Sequence, residues 1–196
     1  GINSSYKPTE SNAKDDYILF VGSLSRRKNV VRLIKAYLQI ADQVNEKLIL
    51  AGNFSDIFAF DKEEAGFLKE AFGHPKIEMV EDIDSNRLIN LYQKAKVMTY
   101  PSIYEGFGLP PVEAMACGTP VLTSNVTSMP EVCGEAAIYI DPMDVKSIAD
   151  GLLRVLQNSE LRAELTEKGL RQSSRYTWEN SVKGHMDVFQ KTLVKL

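Results

Sequence analysis

The chain has 196 residues, of which 44% are hydrophobic and 25% charged, and its formal net charge is −3. These values are typical of one soluble globular domain with enough apolar material for a core. The charge argues against nucleic acid or an anionic membrane surface as the main partner. The two cysteines belong to no CxxC pair or Cys/His cluster, which argues against structural zinc.

Apolar runs and helical spacing divide the chain into elements. Residues 1–16 are polar and predict an arm or linker, and residues 17–196 predict one domain. Short apolar runs predict strands at 17–21, 48–51, 77–80, 97–100, 121–124 and 137–140. Apolar spacing and capping residues predict helices at 30–41, 62–72, from Asp84 or Ser85 to 92, and at 110–117, 145–157, 159–173 and 178–194.

Alternating strands and helices predict the fold class. The pattern is that of an α/β fold, with a Rossmann-like, doubly wound parallel sheet of six strands and extra C-terminal helices. We expect the strand order 3-2-1-4-5-6. Ligands of such sheets bind beyond the carboxyl ends of the strands. The candidate loops are therefore 22–29, 52–61, 81–84, 101–110 and 124–131.

The loop after the fourth strand carries the strongest signal. It contains Gly106 and Gly108, and the next helix is predicted to begin at Pro110, with Gly118 placed to end it. Prolines donate no hydrogen bond, so the free amides must come from Gly106, Phe107, Gly108 and Leu109. A helix N-terminus of this kind favours an anion such as a diphosphate.

Two carboxylates bracket this loop. Glu105 precedes the glycines, and Glu113 is predicted to lie in the first turn of the helix. Carboxylates accept hydrogen bonds from sugar hydroxyls and are poor phosphate ligands. We therefore expect one to hold a hexose and the other a ribose, with the diphosphate between them. Taken alone, Glu113 could simply stabilise the positive end of the helix dipole, and Glu105 could be a solvated loop residue.

The segment EGFGLPPVEAMACGTPV, with seven residues between its two glutamates, resembles the EX7E signature of retaining glycosyltransferases with the GT-B fold. FVGSLSRRKN and SMPEVCGEAA extend the resemblance to family 4. That family includes glycogen and sucrose synthases and many bacterial mannosyl- and glucosyltransferases. The resemblance runs from about Tyr17 to the C-terminal helices, and it identifies the chain as the C-terminal, donor-binding half of such an enzyme.

The resemblance implies roles for individual residues. Glu105 matches the glutamate near the donor sugar, and the amides of residues 106–109 match the turn that contacts sugar and diphosphate. Glu113 matches the glutamate on the ribose hydroxyls, and Lys28 matches the lysine that neutralises the diphosphate leaving group. The family usually has an arginine directly after Gly22, but here Ser23 occupies that position. Arg27 or Arg26 could replace it.

A metal would be an alternative source of positive charge, and Asp82-Ile83-Asp84 looks like the DxD motif of the other major glycosyltransferase fold. We interpret Asp84 instead as the cap of the next helix. Enzymes with the GT-B fold do not need a bound metal for this step. The resemblance therefore implies Glu105 and Lys28 as catalytic residues, with neither metal nor cofactor.

The expected partners follow from the same resemblance. They are a nucleotide sugar, a glycan or lipid-linked acceptor, and the N-terminal GT-B domain, which residues 1–16 cannot supply. We expect this chain to bind the donor without transferring sugar. The expected location is cytoplasmic or at the inner face of the membrane, with peripheral membrane contact through the N-terminal domain.

Other function classes were weighed against this one. An NAD-dependent oxidoreductase needs GxGxxG after the first strand, where the chain has GSLSRR, and no GK[ST] marks a P-loop. A non-catalytic nucleotide-sugar-binding module and a GT-B epimerase remain alternative interpretations. A phosphorylase is disfavoured, because no lysine lies in a recognisable cofactor-linking sequence. The loops 53–60 and 125–131 are expected to choose base and sugar, and GDP-mannose is the favoured donor.

Overall fold

The computed structural model describes residues 1–9, 14–54 and 60–193. Six strands alternate with helices along these ranges. The strands are β1 (Tyr17–Val21), β2 (Lys47–Ala51), β3 (Ile77–Val80), β4 (Val97–Tyr100), β5 (Val121–Ser124) and β6 (Ala137–Ile140). The helices are α1 (Val30–Ile40), α2 (Lys62–Ala71), α3 (Ser85–Lys94), α4 (Leu109–Ala116), α5 (Met129–Cys133), α6 (Val145–Gln157), α7 (Ser159–Ser173) and α8 (Trp178–Leu193).

The strands form one parallel sheet in the order β3-β2-β1-β4-β5-β6, as predicted. The chain crosses from one half of the sheet to the other between β3 and β4. The central strand β1 therefore pairs with β2 on one side and with β4 on the other. The point between β1 and β4 is the topological switch point, where the carboxyl ends of the strands open a crevice for ligands.

Both faces of the sheet are buried. Side chains alternate along β1, so Ile18 and Phe20 belong to one core and Leu19 to the other. The first core includes α1, α2 and α6, and the second includes α3, α4 and α5. Two buried faces explain why the strands read as continuous apolar runs.

Two predictions in the ligand-binding half are wrong. Helix α4 begins at Leu109, so Glu113 is its fifth residue and lies outside the first turn, beyond the reach of the strongest helix-dipole effect. The loop predicted at 124–131 ends in the five-residue helix α5, which starts at Met129. A helix of this length shows no apolar periodicity in the sequence. The predicted end of α4 is confirmed, because Gly118 has φ 72° and its N–H bonds to Met115 O.

The described part of the N-terminal arm packs on the domain. Ile2 N–H donates to Tyr176 O at 2.8 Å, and the Tyr6 ring lies edge-on to Tyr92 with 6.1 Å between centroids. After the gap at 10–13, Lys14 Nζ donates to Gln93 O at 2.7 Å. These contacts bring the arm against α3 and the segment between α7 and α8.

Helix α8 contributes no buried residue to either core. Its exposed apolar side chains include Val182, Met186, Phe189 and Leu193, which follow helical spacing along one face. Within the described ranges, none of the helices combines the length and hydropathy needed to cross a bilayer.

Candidate functional site

The loops that follow β1 and β4 meet at the switch point, where Lys28 pairs with Glu105. Lys28 Nζ lies 2.8 Å from Glu105 Oε1, and both side chains are about 10% exposed. Lys28 also donates to the hydroxyl of Tyr100, which itself donates to Glu105 Oε1 at 3.1 Å. The two residues predicted to be catalytic are therefore in contact, and Tyr100 at the end of β4 holds both.

A short turn places Lys28 at this point. Residues Arg26–Lys28 form one turn of 3-10 helix that ends at Asn29 in the left-handed conformation, with φ 61°. Asparagine adopts this conformation more readily than most residues. The buried amide of Asn29 donates to Pro101 O at 3.0 Å and to Pro142 O at 2.6 Å. Asn29 thus ties the Lys28 loop to the loop after β4, a role that the sequence reading missed.

The two neighbouring arginines take different directions. Arg27 Nη1 lies 2.6 Å from Glu105 Oε1 and donates to Tyr104 O at 3.0 Å. Arg26 instead pairs with Asp61 at 3.3 Å and Glu64 at 2.9 Å. Arg27 is therefore the second cation at the switch point, while Ser23 carries no charge and is exposed.

The glycine loop presents its amides at the start of α4. Gly108 has φ 104°, and a Cβ there would lie 2.3 Å from Met129 Cε, so this buried position requires glycine. Ser128 Oγ donates to Glu105 O at 3.1 Å and to Phe107 O at 2.9 Å. The carbonyls of the loop are thus turned towards α5. In the part of the chain that the structure describes, the N–H groups of residues 106–109 meet no protein acceptor.

A cavity of about 440 Å³ opens beside the switch point, over the carboxyl ends of β1, β2 and β3. This volume lies within the range of small-molecule sites. Its lining residues are Val21, Gly22, Ala51, Gly52, Asn53, Glu81, Asp82, Ile83 and Leu88. The predicted residue Gly22 therefore belongs to the cavity wall. Most of the loop expected to choose the base, 55–59, lies outside the described residues.

Glu113 lies on α4 and is held from α3. Tyr92, which is fully buried, donates its hydroxyl proton to Glu113 Oε2 at 2.9 Å. The Tyr6 side chain of the arm also lies near this carboxylate and acts to lower its pKa. Leu88, one helical turn before Tyr92 on the same face of α3, lines the cavity.

The environment shifts the pKa values of the two glutamates in opposite directions. Burial alone would raise the pKa of Glu105, but the hydrogen bond and charge of Lys28 hold it below its ordinary value. Burial raises the pKa of Glu113, and the hydrogen bond from Tyr92 and the nearby Tyr6 side chain only reduce that rise. Glu105 is thus stabilised as an anion, whereas Glu113 forms no ion pair within the described residues and accepts a hydrogen bond from a hydroxyl.

We expect Glu113→Gln to stabilise the fold at pH 7 and Glu105→Gln to destabilise it. The raised folded-state pKa of Glu113 means that stability falls as the pH rises through that pKa, and glutamine avoids this cost while still accepting from Tyr92. The lowered pKa of Glu105 adds stability above the ordinary value of 4.5, which is lost as the pH falls through the folded-state pKa. Urea unfolding at pH 7 and pH 4 measures both. If both substitutions changed the free energy of unfolding in the same direction at pH 7, the opposite pKa shifts assigned to the two glutamates would be contradicted.

The acidic triplet 82–84 forms the turn that leads into α3. Asp84 is the N-cap of α3, as predicted, and its Oδ1 accepts from Arg87 N at 2.8 Å. Asp82 has φ 51° in the turn that precedes it. Within the described ranges, no group of three or more His, Cys, Asp or Glu side chains is placed to hold a metal ion.

The chain resembles known proteins along most of its length. The profile of the family "Glycosyl transferases group 1" matches residues 3–172. The chain is similar to O-antigen chain mannosyltransferase B of Escherichia coli, with 39% identity over 168 residues, which are 84% of the chain and 43% of that protein. It therefore spans less than half the length of this relative.

Solved structures show the same fold. Sucrose-phosphate synthase of Thermosynechococcus elongatus superposes with a TM-score of 0.83 and 26% identity, covering 100% of the chain and 52% of that enzyme. The C-terminal domain of a group 1 glycosyl transferase of Francisella tularensis gives 0.75 at 22% identity, covering 90% and 98%. The sheet is that of the C-terminal GT-B domain. From the family match over most of its length, the chain belongs to the glycosyl transferases group 1 family.

Proposed function

We propose that this chain binds the nucleoside-diphosphate sugar for a retaining glycosyltransferase of family 4. The observation that carries the proposal is the pairing of Lys28 with Glu105 beside the amides of residues 106–109. Lys28 and the helix N-terminus supply positive charge for a diphosphate, and Glu105 supplies an acceptor for a sugar hydroxyl. No other place in the described chain brings these groups together.

Cleavage of a nucleotide sugar explains why cations and backbone amides are needed at this site. Cleavage of the bond between the sugar and the diphosphate leaves negative charge on the β-phosphate. Fixed cations and amide dipoles directed at that charge stabilise the transition state. Lys28 and Arg27 both contact Glu105, which directly precedes the loop whose amides begin α4. This positive charge takes the place of a metal, so the proposal includes none.

The donor extends from the switch point in a defined direction. On the β5 side, Ser128 bonds to the carbonyls of Glu105 and Phe107, and Met129 packs against Gly108. On the other side the cavity over β1, β2 and β3 is open. We therefore assign the base to the cavity and the ribose to the region between the cavity and Glu113. The diphosphate then spans the loop residues 106–109.

We propose GDP-mannose as the donor and a glycan or lipid-linked acceptor. The name of the Escherichia coli relative, a mannosyltransferase of the O-antigen chain, supports mannose as the sugar. Because the chain spans 43% of that relative, we assign donor binding to these residues and acceptor binding to the remaining length of such proteins. Sugar transfer by the 196-residue chain alone would contradict this division.

Calorimetry with GDP-, UDP- and ADP-sugars tests the proposal. One of these donors is expected to bind, and Glu113→Ala is expected to weaken it about tenfold to a hundredfold, since hydrogen bonds to a charged group contribute about 1.5–3 kcal/mol. Glu135→Ala is the matched control. Glu135 is 92% exposed and precedes β6, so it lies at the opposite edge of the sheet.

Two results would overturn the assignment. If no donor binds, the site has another ligand. If a donor binds equally well to Glu113→Ala and to the wild type, the ribose does not contact Glu113. Glu135→Ala is expected to match the wild type, which separates a local effect from the loss of one negative charge.

A further inference from the structure

The cavity over β1, β2 and β3 carries one anchored carboxylate. Glu81 follows the last residue of β3, and its Oε1 accepts the N–H of Phe54 at 2.9 Å. This bond joins the loop after β3 to the loop after β2 and limits the directions that the side chain can take. Glu81 is exposed, and it lines the cavity.

The other lining residues determine the shape and polarity of the cavity. Val21, Ile83 and Leu88 supply apolar walls, and Gly52 leaves the floor without a side chain. Among the described lining residues, the ionisable ones are Glu81 and Asp82, with no lysine or arginine, and Asn53 adds a polar amide. An ionised carboxylate accepts hydrogen bonds and donates none. The cavity therefore suits a flat, neutral group that presents donors on one edge.

Among nucleotide bases, guanine fits this description best. Its N1–H and N2–H donors lie side by side on one edge and match the two oxygens of a carboxylate in a bidentate, charge-assisted contact. Uracil has one donor, N3–H, between two carbonyl oxygens that a carboxylate repels. Adenine has one amino group next to an unprotonated ring nitrogen. Hypoxanthine keeps N1–H but lacks the amino group.

We propose that Glu81 selects guanine nucleotides by accepting the N1–H and N2–H hydrogen bonds of the base. The inference rests on the proposed function, because it needs the base to lie in this cavity. The Phe54 N–H occupies only part of the capacity of Oε1, since each carboxylate oxygen accepts about two hydrogen bonds. Glu81 is therefore held in place and can still bind the base with both oxygens.

Calorimetry with GDP, IDP, UDP and ADP tests this selection in the 196-residue chain. GDP is expected to bind about tenfold to a hundredfold more tightly than IDP, which lacks only the 2-amino group. Glu81→Gln is expected to remove most of this difference, because an amide offers one acceptor where the carboxylate offers two. Glu78→Gln, an exposed glutamate on β3 outside the cavity lining, is the matched control and is expected to keep the GDP preference.

The affinity for UDP controls for folding. Ribose and diphosphate contacts are unchanged in Glu81→Gln, and the repulsion between the carboxylate and the uracil carbonyls is gone, so an intact variant binds UDP at least as tightly as the wild type does. The inference is overturned if GDP and IDP bind equally to the wild type, or if Glu81→Gln retains the GDP preference. In either case a Glu113→Ala effect on nucleotide affinity would leave the proposed function standing. If none of the four nucleotides binds, both proposals fail.

Discussion

Lys28→Ala is expected to lower the affinity for a nucleoside diphosphate about 100-fold, because charge-assisted hydrogen bonds contribute about 1.5–3 kcal/mol each. The substitution removes the buried cation and also changes Glu105. Without Lys28 the carboxylate loses the bond at 2.8 Å that stabilises its negative charge. Glu105 would then face the diphosphate with less compensation, and this repulsion adds to the lost attraction. Calorimetry with the diphosphate measures the change.

Arg26→Ala is the matched control for Lys28→Ala. It removes the same charge from the same short turn, but Arg26 pairs with Asp61 and Glu64 on the far side of the loop. A long-range electrostatic effect would weaken binding equally in both variants and would disappear at high salt. A contact effect appears in Lys28→Ala alone. Equal losses in the two variants would therefore show that Lys28 does not touch the diphosphate.

Gly52→Ala is expected to lower the free energy of unfolding by about 3–5 kcal/mol, the sum of backbone strain and steric overlap. Gly52 has φ 153°, and a Cβ there would lie 2.0 Å from Gly22 O. Neither backbone can move freely, because Gly22 N–H bonds to Ala51 O at 2.9 Å and Gly52 N–H to Val80 O at 3.0 Å. The clash must therefore separate the ends of the central strands. Urea unfolding measures the loss.

Gly66→Ala makes the same chemical change but is expected to raise the free energy of unfolding. Gly66 lies within α2, where an added Cβ meets no atom within 4 Å. Alanine is favoured over glycine in a helix interior, so the free energy of unfolding should rise by about 0.5–1 kcal/mol. Destabilisation of similar size in both variants would indicate that glycine content itself, and not the approach of the β1 and β2 ends, controls stability.

Much of the site could be predicted because its residues follow strand ends. Lys28 follows β1 and Glu105 follows β4, and parallel strands bring such loops to one edge of the sheet. The turn at the loop glycines and the start of α4 at the prolines could also be predicted, because both depend on the conformational preferences of the residues themselves. The placement of Glu113 in the first turn failed because helix boundaries shift by a residue or two with small changes in cap geometry.

The residues that hold the site could not be predicted. Asn29 bonds to carbonyl groups 72 and 113 positions away, and Tyr92 bonds to Glu113 across 21 positions. Each looks ordinary in the sequence, since an asparagine is common in loops and a tyrosine at helical spacing is common in cores. Their roles depend on which atoms become neighbours, and no local pattern encodes that.

The sequence by itself determined the fold class, the strand order and the loops that carry the site, because apolar period and turn residues act locally and parallel sheets have few allowed connections. The tertiary structure decided which of two adjacent arginines reaches Glu105. It also decided that the arm brings Tyr6 to Glu113 and that Glu81 lines the cavity. These outcomes depend on the direction of each side chain and on packing between distant parts of the chain. Neighbouring residues in the sequence do not reveal either of them.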